Sequence, residues 1–406
     1  MLTLLQGLNH VPPLVAVGFA SRALGSGPFG QYARLMSFAA VVALLANFAF
    51  QTTGVKLVAQ TAGRNGDLSS VFTSVMAAKA SVAAAVVIAV GAGLVFSPDY
   101  SAYFSKICMA SAYGLALALT PTWFFVGLQR VQWLVLPYAA MRLGAACAVA
   151  LLVDDSNDVL LYLTINALAE IVLMAWVIRQ VTRTGVTWRW SGRESVSRLL
   201  VESRPIFGAA LAINLYTASG PLVAGLALGN AATGQYALAD RVRQLVLGAV
   251  GPVSQAVFPI ACRAAVTRSP GDVGTLRRGL SLLLLVGLAT TLFLWLFASE
   301  IVRIIGGAEF GPAADVLRSI SVLAFLVTAS GMLGTHLLIA NGFSSDVTKI
   351  ATLVAAVGVP FLYGMAKSFG LAGVSAALVA TEVLALLTLL VVTARRDLLQ
   401  SVAFRL

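Results

Sequence analysis

The chain has 406 residues, of which 59% are hydrophobic and 11% charged, with a formal net charge of +11. A soluble chain carries about a quarter charged residues, so this composition excludes an ordinary soluble protein and implies one embedded in a membrane. The surplus of basic residues collects in a few connections, which fits membrane topology rather than nucleic-acid binding.

Long unbroken apolar runs, rather than short alternating ones, select helices over a β-barrel. In chain order they predict twelve spanning helices. The first six lie near 3–23, 32–58, 76–96, 104–126, 134–153 and 159–178. The second six lie near 206–228, 236–260, 280–305, 314–340, 350–366 and 371–393. The first segment lacks a basic leader region and carries Asn9, His10, Pro12 and Pro13 in its middle. It reads as helix 1 rather than a cleaved signal, and its proline pair predicts a bend. The cysteines Cys108, Cys147 and Cys262 lie in or beside apolar runs without metal-ligand spacing, so they read as packed thiols.

The segment Ala23-Leu-Gly-Ser-Gly-Pro-Phe-Gly-Gln-Tyr-Ala33 recurs 204 positions later as Ala227-Leu-Gly-Asn-Ala-Ala-Thr-Gly-Gln-Tyr-Ala237. Gln51 and Gln255 keep the same register. A repeat of half the chain predicts two homologous six-helix lobes, 1–178 and 206–393, related by an axis along the membrane normal. Residues 179–205 form a basic connection and 394–406 a tail. A fainter echo sets Glu170 of helix 6 against Glu382 of helix 12.

Arg179, Arg183, Arg189, Arg193, Arg198 and Arg204 crowd the central connection; Arg263, Arg268, Arg277 and Arg278 lie between helices 8 and 9. Asp99, Asp154, Asp155, Asp158 and Glu309 mark the opposite side. The positive-inside rule then places both termini in the cytoplasm. Trp188 and Trp190 within the basic connection fit either an amphipathic segment on the inner leaflet or a solvated linker.

Leu24-Gly-Ser-Gly-Pro-Phe-Gly-Gln-Tyr32 resembles the signature after helix 1 in the polysaccharide-exporter branch of the MOP superfamily, which includes the Wzx-type flippases. Pro121-Thr-Trp-Phe-Phe-Val-Gly-Leu-Gln-Arg130, Ala256-Val-Phe-Pro259 and Gly370-Leu-Ala-Gly-Val-Ser375 resemble that branch's segments ending helices 4 and 8 and opening helix 12. The resemblance spans the chain. It implies an all-α, MATE-like membrane fold in the bacterial inner membrane. It also implies a substrate, an oligosaccharide on a polyprenyl pyrophosphate, carried by alternating access without covalent chemistry. A polysaccharide polymerase is an expected partner, and no cofactor is expected.

A diphosphate needs cations at membrane depth, where a charge costs ~2.5–3.5 kcal/mol on insertion scales. The resemblance expects helices 1, 2, 7 and 8 to line the cleft. That favours Arg22, Arg34, Lys56, Arg241 and Arg243 over Lys79 and Arg142; Lys56 and Lys79 lie near the cytoplasmic ends of their helices, where snorkelling is the other reading and the preferred one for Lys79. Asp240 and Arg243, three apart, suit an ion pair equally well. Asn47, Gln51, Asn214 and Gln255 are candidates for the sugars, as are Asn9, Tyr216, Thr217 and Gln244; each also suits interhelical bonding. Asp240, Glu170 and Glu382 are candidates for coupling to H+ or Na+, against a purely structural reading.

No HExxH, GxSxG or Walker A pattern occurs, so no enzyme is expected. His10 and His336 make no metal pair, and Asp154-Asp-Ser-Asn-Asp158 reads as a polar turn. Two other readings remain: a cation-coupled drug antiporter of the same superfamily, which prefers carboxylate cavities, and a membrane glycan polymerase or ligase, which needs a large catalytic loop.

Overall fold

A computed structural model describes residues 15–64, 66–96, 100–189, 192–248 and 250–398, and its regular elements are helices. Asn9, His10, Pro12, Pro13, Asp99, Trp190 and Arg405 lie outside the described residues. The chain is a multi-pass helical membrane protein.

Helix α1 (Val15–Leu24) turns through Gly25 into α2 (Ser26–Asn47). Helix α2 breaks at Phe48 and Ala49, both left-handed at φ 43° and 62°, and resumes as α3 (Phe50–Ala62). Asp67 caps α4 (Leu68–Val95) by accepting from Ser69 N. Helix α5 (Tyr100–Leu119) ends ahead of Pro121, whose ring cannot continue the ladder, and the short α6 (Thr122–Gly127) follows. Next come α7 (Gln132–Leu152) and α8 (Val159–Arg183). The second half runs α9 (Arg193–Leu228), α10 (Asn230–Leu247), α11 (Val250–Thr267) and α12 (Pro270–Leu296). It continues through α13 (Ala298–Gly306), α14 (Gly311–Ser321), α15 (Leu323–Gly331) and a π-helical turn, Met332–Ile339. The last helix, α16 (Ser344–Arg395), is interrupted at Gly370, with φ 63° and ψ −142°.

Among the described residues, length and apolarity qualify eight helices as spans, or nine if α10 and α11, bent by 44°, make one. This criterion does not recover all twelve expected spans. One counted helix, α16, is divided by Gly370 where the sequence reading puts helices 11 and 12. Helix α9 is not among those counted, although its residues 206–228 carry no charged side chain. Most of the expected connection 179–205 is therefore helix, since α8 runs on to Arg183 and α9 begins at Arg193. The described residues of the stretch between them, 184–189, form no helix. They are tied to α4, where Thr187 N donates to Ser69 Oγ (3.1 Å) and Arg189 N to Thr73 Oγ1 (3.0 Å).

The repeat has a backbone cause. Gly25 and Gly229 form the corners ahead of α2 and α10 with φ 75° and 84°, a region that favours glycine. Beyond the corners the two helices cross in close contact. A Cβ on Gly30 would overlap the Asn230 carbonyl oxygen, and one on Gly234 would overlap that of Ser26. Ser26 and Asn230 are repeat partners, as are Gly30 and Gly234. The contact is thus reciprocal, as across a two-fold axis. Around it Arg22 donates to the Ile304 carbonyl, and the Glu309 carboxylate accepts from Ser26 N and Oγ at 2.7 Å each.

At this end one hydrophobic core joins both halves, with Val17, Leu24 and Phe29 packed in the same cluster as Leu238, Phe310 and Leu317. At the opposite, arginine-rich end the described residues form separate cores. One holds Val58, Phe72, Trp123, Phe124 and Phe125 from α3, α4 and α6. The other holds Val257, Leu280, Leu338 and Leu389 from α11, α12, the π-helical turn and α16. The bundle is closed at one end and divided at the other.

Lys79 does not snorkel. It is fully buried, and its Nζ donates to the Ala118 carbonyl at 2.7 Å, next to the end of α5 where orphan carbonyls favour a cation. Lys79→Ala should leave that carbonyl unpaired and cost about 1–3 kcal/mol. A thermal-melting comparison of purified proteins checks this, and an unchanged midpoint would show that the bond contributes nothing.

Between α7 and α8, Asp158 accepts from the backbone of Asp154 and Asp155 at 3.1 Å each. Hydrogen bonds from Asn157 and then Ser156 hold the Asp155 carboxyl below its usual range. The acids of this turn serve to close it.

Candidate functional site

Between the halves lies a cleft of about 490 Å³, walled by α1, α2, α5, α9, α10 and α15. Helix α10 contributes Ala237, Asp240, Arg241, Gln244 and Leu247, whose three- and four-residue spacing places them on one stripe. Arg243 also reaches the cleft. Helix α2 presents the corresponding stripe, Phe29, Tyr32, Ala33, Met36, Ser37 and Ala40. In repeat register Met36 faces Asp240's role, Ser37 that of Arg241, and Ala40 that of Gln244. The halves thus offer equivalent faces, and only α10 carries charge on its face.

Asp240 is fully engaged. Its Oδ1 accepts from Arg243 Nη2 (2.6 Å) and Nε (3.0 Å), and its Oδ2 accepts from Gln244 Nε2 (2.7 Å). Among the described residues Arg241 has no ion-pair partner. The α10 face therefore carries a net positive charge.

A second chamber of about 190 Å³ adjoins the cleft and shares Tyr32, Tyr113, Arg241 and Gln244 with it. Its remaining polar lining is Arg142, Tyr162 and Asn166. The Tyr32 and Tyr162 rings stack at 3.8 Å. Arg142 Nη2 pairs with Glu170 Oε2 at 3.2 Å, and Glu170 is buried.

The structure brings together only part of the residue set expected from sequence. Arg241, Arg243 and Asp240 line the cleft, and Gln244 lines it too. Glu170 stands behind the chamber as the partner of Arg142, and Glu382 is buried in α16. Arg34 lies instead against α9, where a Cβ on Gly225 would come within 2.6 Å of its Cδ. Arg22 sits at the closed end, beside a shallow 230 Å³ groove with Val15, Phe19 and Ile304. Lys56 and Gln255 are exposed on α3 and α11, and neither lines the cleft or the chamber. Gln51 Nε2 donates to Thr122 Oγ1 at 2.7 Å, which ties α3 to α6. Asn47 ends α2 at its break, with an enclosed Oδ1 that has no partner among the described residues. The Asn214, Tyr216 and Thr217 side chains lie outside the described part.

Sequence reasoning passed over Tyr32, Tyr113, Tyr162, Asn166 and Arg142 as cleft or chamber residues. Tyr32 was open to discovery, because it lies inside the repeat. The others come from α5, α7 and α8, whose mutual register no local pattern reveals.

Residues 1–264 match the family described as "Polysaccharide biosynthesis protein". A protein of Escherichia coli (strain K12) named "Putative O-antigen transporter" is 24% identical over 388 residues, covering 94% of this chain and 92% of that protein. Among solved structures, the lipid II flippase MurJ in an inward closed conformation has a TM-score of 0.72 at 14% identity, over 97% of this chain and 88% of that one. An inward-facing multidrug resistance MATE family transporter of the MOP superfamily has a TM-score of 0.70 at 16% identity, over 97% of this chain and 96% of that one. At such identities these two likenesses show the fold alone, the helical bundle that this chain shares with the two transporters.

Proposed function

The chain belongs to the polysaccharide biosynthesis protein family, and on that premise we propose that it flips a polyprenyl-pyrophosphate-linked oligosaccharide across the bacterial inner membrane. The observation that carries the reading is the cationic face of α10 in a cleft between the two halves. Arg241 and Arg243 take the diphosphate, since guanidinium groups grip phosphate bidentately. Tyr32, Tyr113, Asn166 and Gln244 offer stacking faces and amides to sugars.

The shape supports transport by alternating access. The arginine-rich end is cytoplasmic by the positive-inside rule, with both termini on that side. The separate cores at that end and the crossing of Gly30 and Gly234 at the other support two lobes, 1–178 and 206–393, that part on the cytoplasmic side. This conformation loads from the cytoplasm; release requires the glycine crossing to part.

The antiporter reading is disfavoured by charge. Cationic drugs suit carboxylates, yet Asp240 and Glu170 are each held by an arginine. The same pairing leaves these carboxylates poorly placed to exchange H+ or Na+. Membrane potential suffices as a driving force, because two negative charges moving outward across 100 mV release roughly 4.6 kcal/mol.

A strain lacking its own flippase and accumulating the lipid-linked precursor tests the proposal. Expression of this chain together with its cognate glycan genes should restore surface polysaccharide. Persistent precursor accumulation, with the protein present in the membrane, would refute it.

A further inference from the structure

We propose that Glu309 is the latch of the outer end: its carboxylate caps α2 from the opposite half of the bundle, and each transport cycle releases and remakes that cap. The inference rests on the flippase reading above for which end faces outward, and it names a contact that holds that end shut.

A helix begins with N–H groups that have no partner within it, and its aligned peptide dipoles favour an anion there. A serine, threonine, aspartate or asparagine just ahead of the first turn ordinarily accepts from one of them. Helix α2 is preceded by Gly25, which has no side chain to offer. The acceptor comes instead from 283 positions further along the chain. Glu309 Oε1 accepts from Ser26 N and from Ser26 Oγ at 2.7 Å each. The same glycine makes room for it, since a Cβ on Gly25 would come within 2.9 Å of Glu309 Oε2.

Glu309 lies in a short strap that runs from the end of α13 through the turn Ala308–Phe310 into α14. Gln235 of α10 anchors this strap to its own half. Its Nε2 donates to the Glu309 carbonyl (3.0 Å), and its Oε1 accepts from Ala313 N (3.1 Å). From that anchorage the strap also grips α1. The Ile304 carbonyl accepts from Arg22, and the Ile305 carbonyl from Ser21 Oγ at 3.4 Å. These contacts all run one way, from donors in the first half to acceptors in the second. Glu309 alone among the acceptors is a carboxylate, and charge-assisted bonds are the stronger kind.

The repeat shows that the latch is one-sided. Gln31, the repeat partner of Gln235, accepts from Lys106 Nζ of α5 at 2.9 Å. Lys106 stands 204 positions before Phe310, so each half uses the same glutamine to hold the equivalent segment. That register puts Ser105 where the other half has Glu309, and Asn230 where it has Ser26. A serine is too short to reach across as a glutamate does. Helix α10 accordingly starts without a side-chain cap, and Asn230 Oδ1 is enclosed with no partner among the described residues.

The glycine crossing is reciprocal and made of backbone, so it closes the outer end by shape. Glu309 adds a bond at the protein surface, where water takes over both partners as soon as they part. Such a bond biases the end towards closure without trapping it there.

Outward access is read without any substrate. A single Ser37→Cys thiol serves, in a protein whose Cys108, Cys147 and Cys262 are replaced by Ser, with an impermeant maleimide applied outside. Loss of a helix cap in Glu309→Ala should raise the labelling rate about fivefold. Unchanged labelling would overturn the latch and leave the flippase reading intact.

The second arm locks the contact. Ser26→Cys with Glu309→Cys, in the same cysteine-replaced protein, is bridged by a short bifunctional methanethiosulfonate. Bridged protein in liposomes should move the lipid-linked glycan about tenfold more slowly, and dithiothreitol should restore the rate. Undiminished flux across the bridge would show that the contact need not part, and would overturn the latch. A cysteine-replaced parent that moves no glycan would count against the flippase reading instead, and the labelling arm would still decide the latch.

Discussion

Arg243→Ala is expected to stop transport and to destabilise the protein by about 3–5 kcal/mol, because it leaves Asp240 buried without its ion-pair partner. The two side chains are 14% and 8% exposed, so solvent screens the pair little. Removing both charges separates the two losses. Asp240→Asn with Arg243→Gln should recover most of the stability, since no lone charge remains, yet flux should stay at least about tenfold down for want of the diphosphate's cation. Thermal melting and flux measured on the same purified proteins check both halves. A double variant that transports normally would reduce Arg243 to a structural role.

Gly30→Val is expected to force open the closed end. The new side chain would occupy the place of the Asn230 carbonyl oxygen, which is backbone and cannot swing aside. Overpacking of about 1–3 kcal/mol shifts the balance of the two states by about 5- to 150-fold. Gly234→Val should act alike, because its carbonyl neighbour Ser26 is the repeat partner of Asn230. The readout is a single thiol, Ser37→Cys in the cleft of a protein whose Cys108, Cys147 and Cys262 are replaced by Ser, probed from outside with an impermeant maleimide. Labelling should rise sharply in either glycine variant, and unchanged labelling would mean that the crossing does not govern access.

Much of this architecture was legible before any coordinates. The repeat marks the two corner glycines because no other residue accepts that backbone without strain. It also aligns α2 with α10, and the spacing of Asp240, Arg241 and Gln244 already describes a stripe. Tyr32 and the aromatic cluster of Trp123, Phe124 and Phe125 fall inside quoted motifs, and the latter proves to be core of the divided end. What stayed hidden was facing. Arg34 lies one residue from Ala33, and a single step along a helix turns about 100°, enough to move it from the cleft to Gly225 of α9. Arg22 and Lys56 show that a charge on a helix expected to line the cleft need not enter it. Arg142 was hidden for the opposite reason: α7 reaches the chamber through packing against α8, a long-range contact that periodicity does not encode.

Purified protein in liposomes offers the most direct measurement, with a fluorescent polyprenyl-pyrophosphate-linked oligosaccharide on one leaflet and a potential imposed without pH or Na+ gradients. The account predicts that the glycan appears on the far leaflet, faster when the receiving side is positive, and that Arg241→Gln with Arg243→Gln abolishes the movement. Movement that ignores the potential and follows an H+ or Na+ gradient would contradict the driving force. No movement of the glycan, alongside gradient-driven export of a cationic drug such as ethidium, would contradict the central claim.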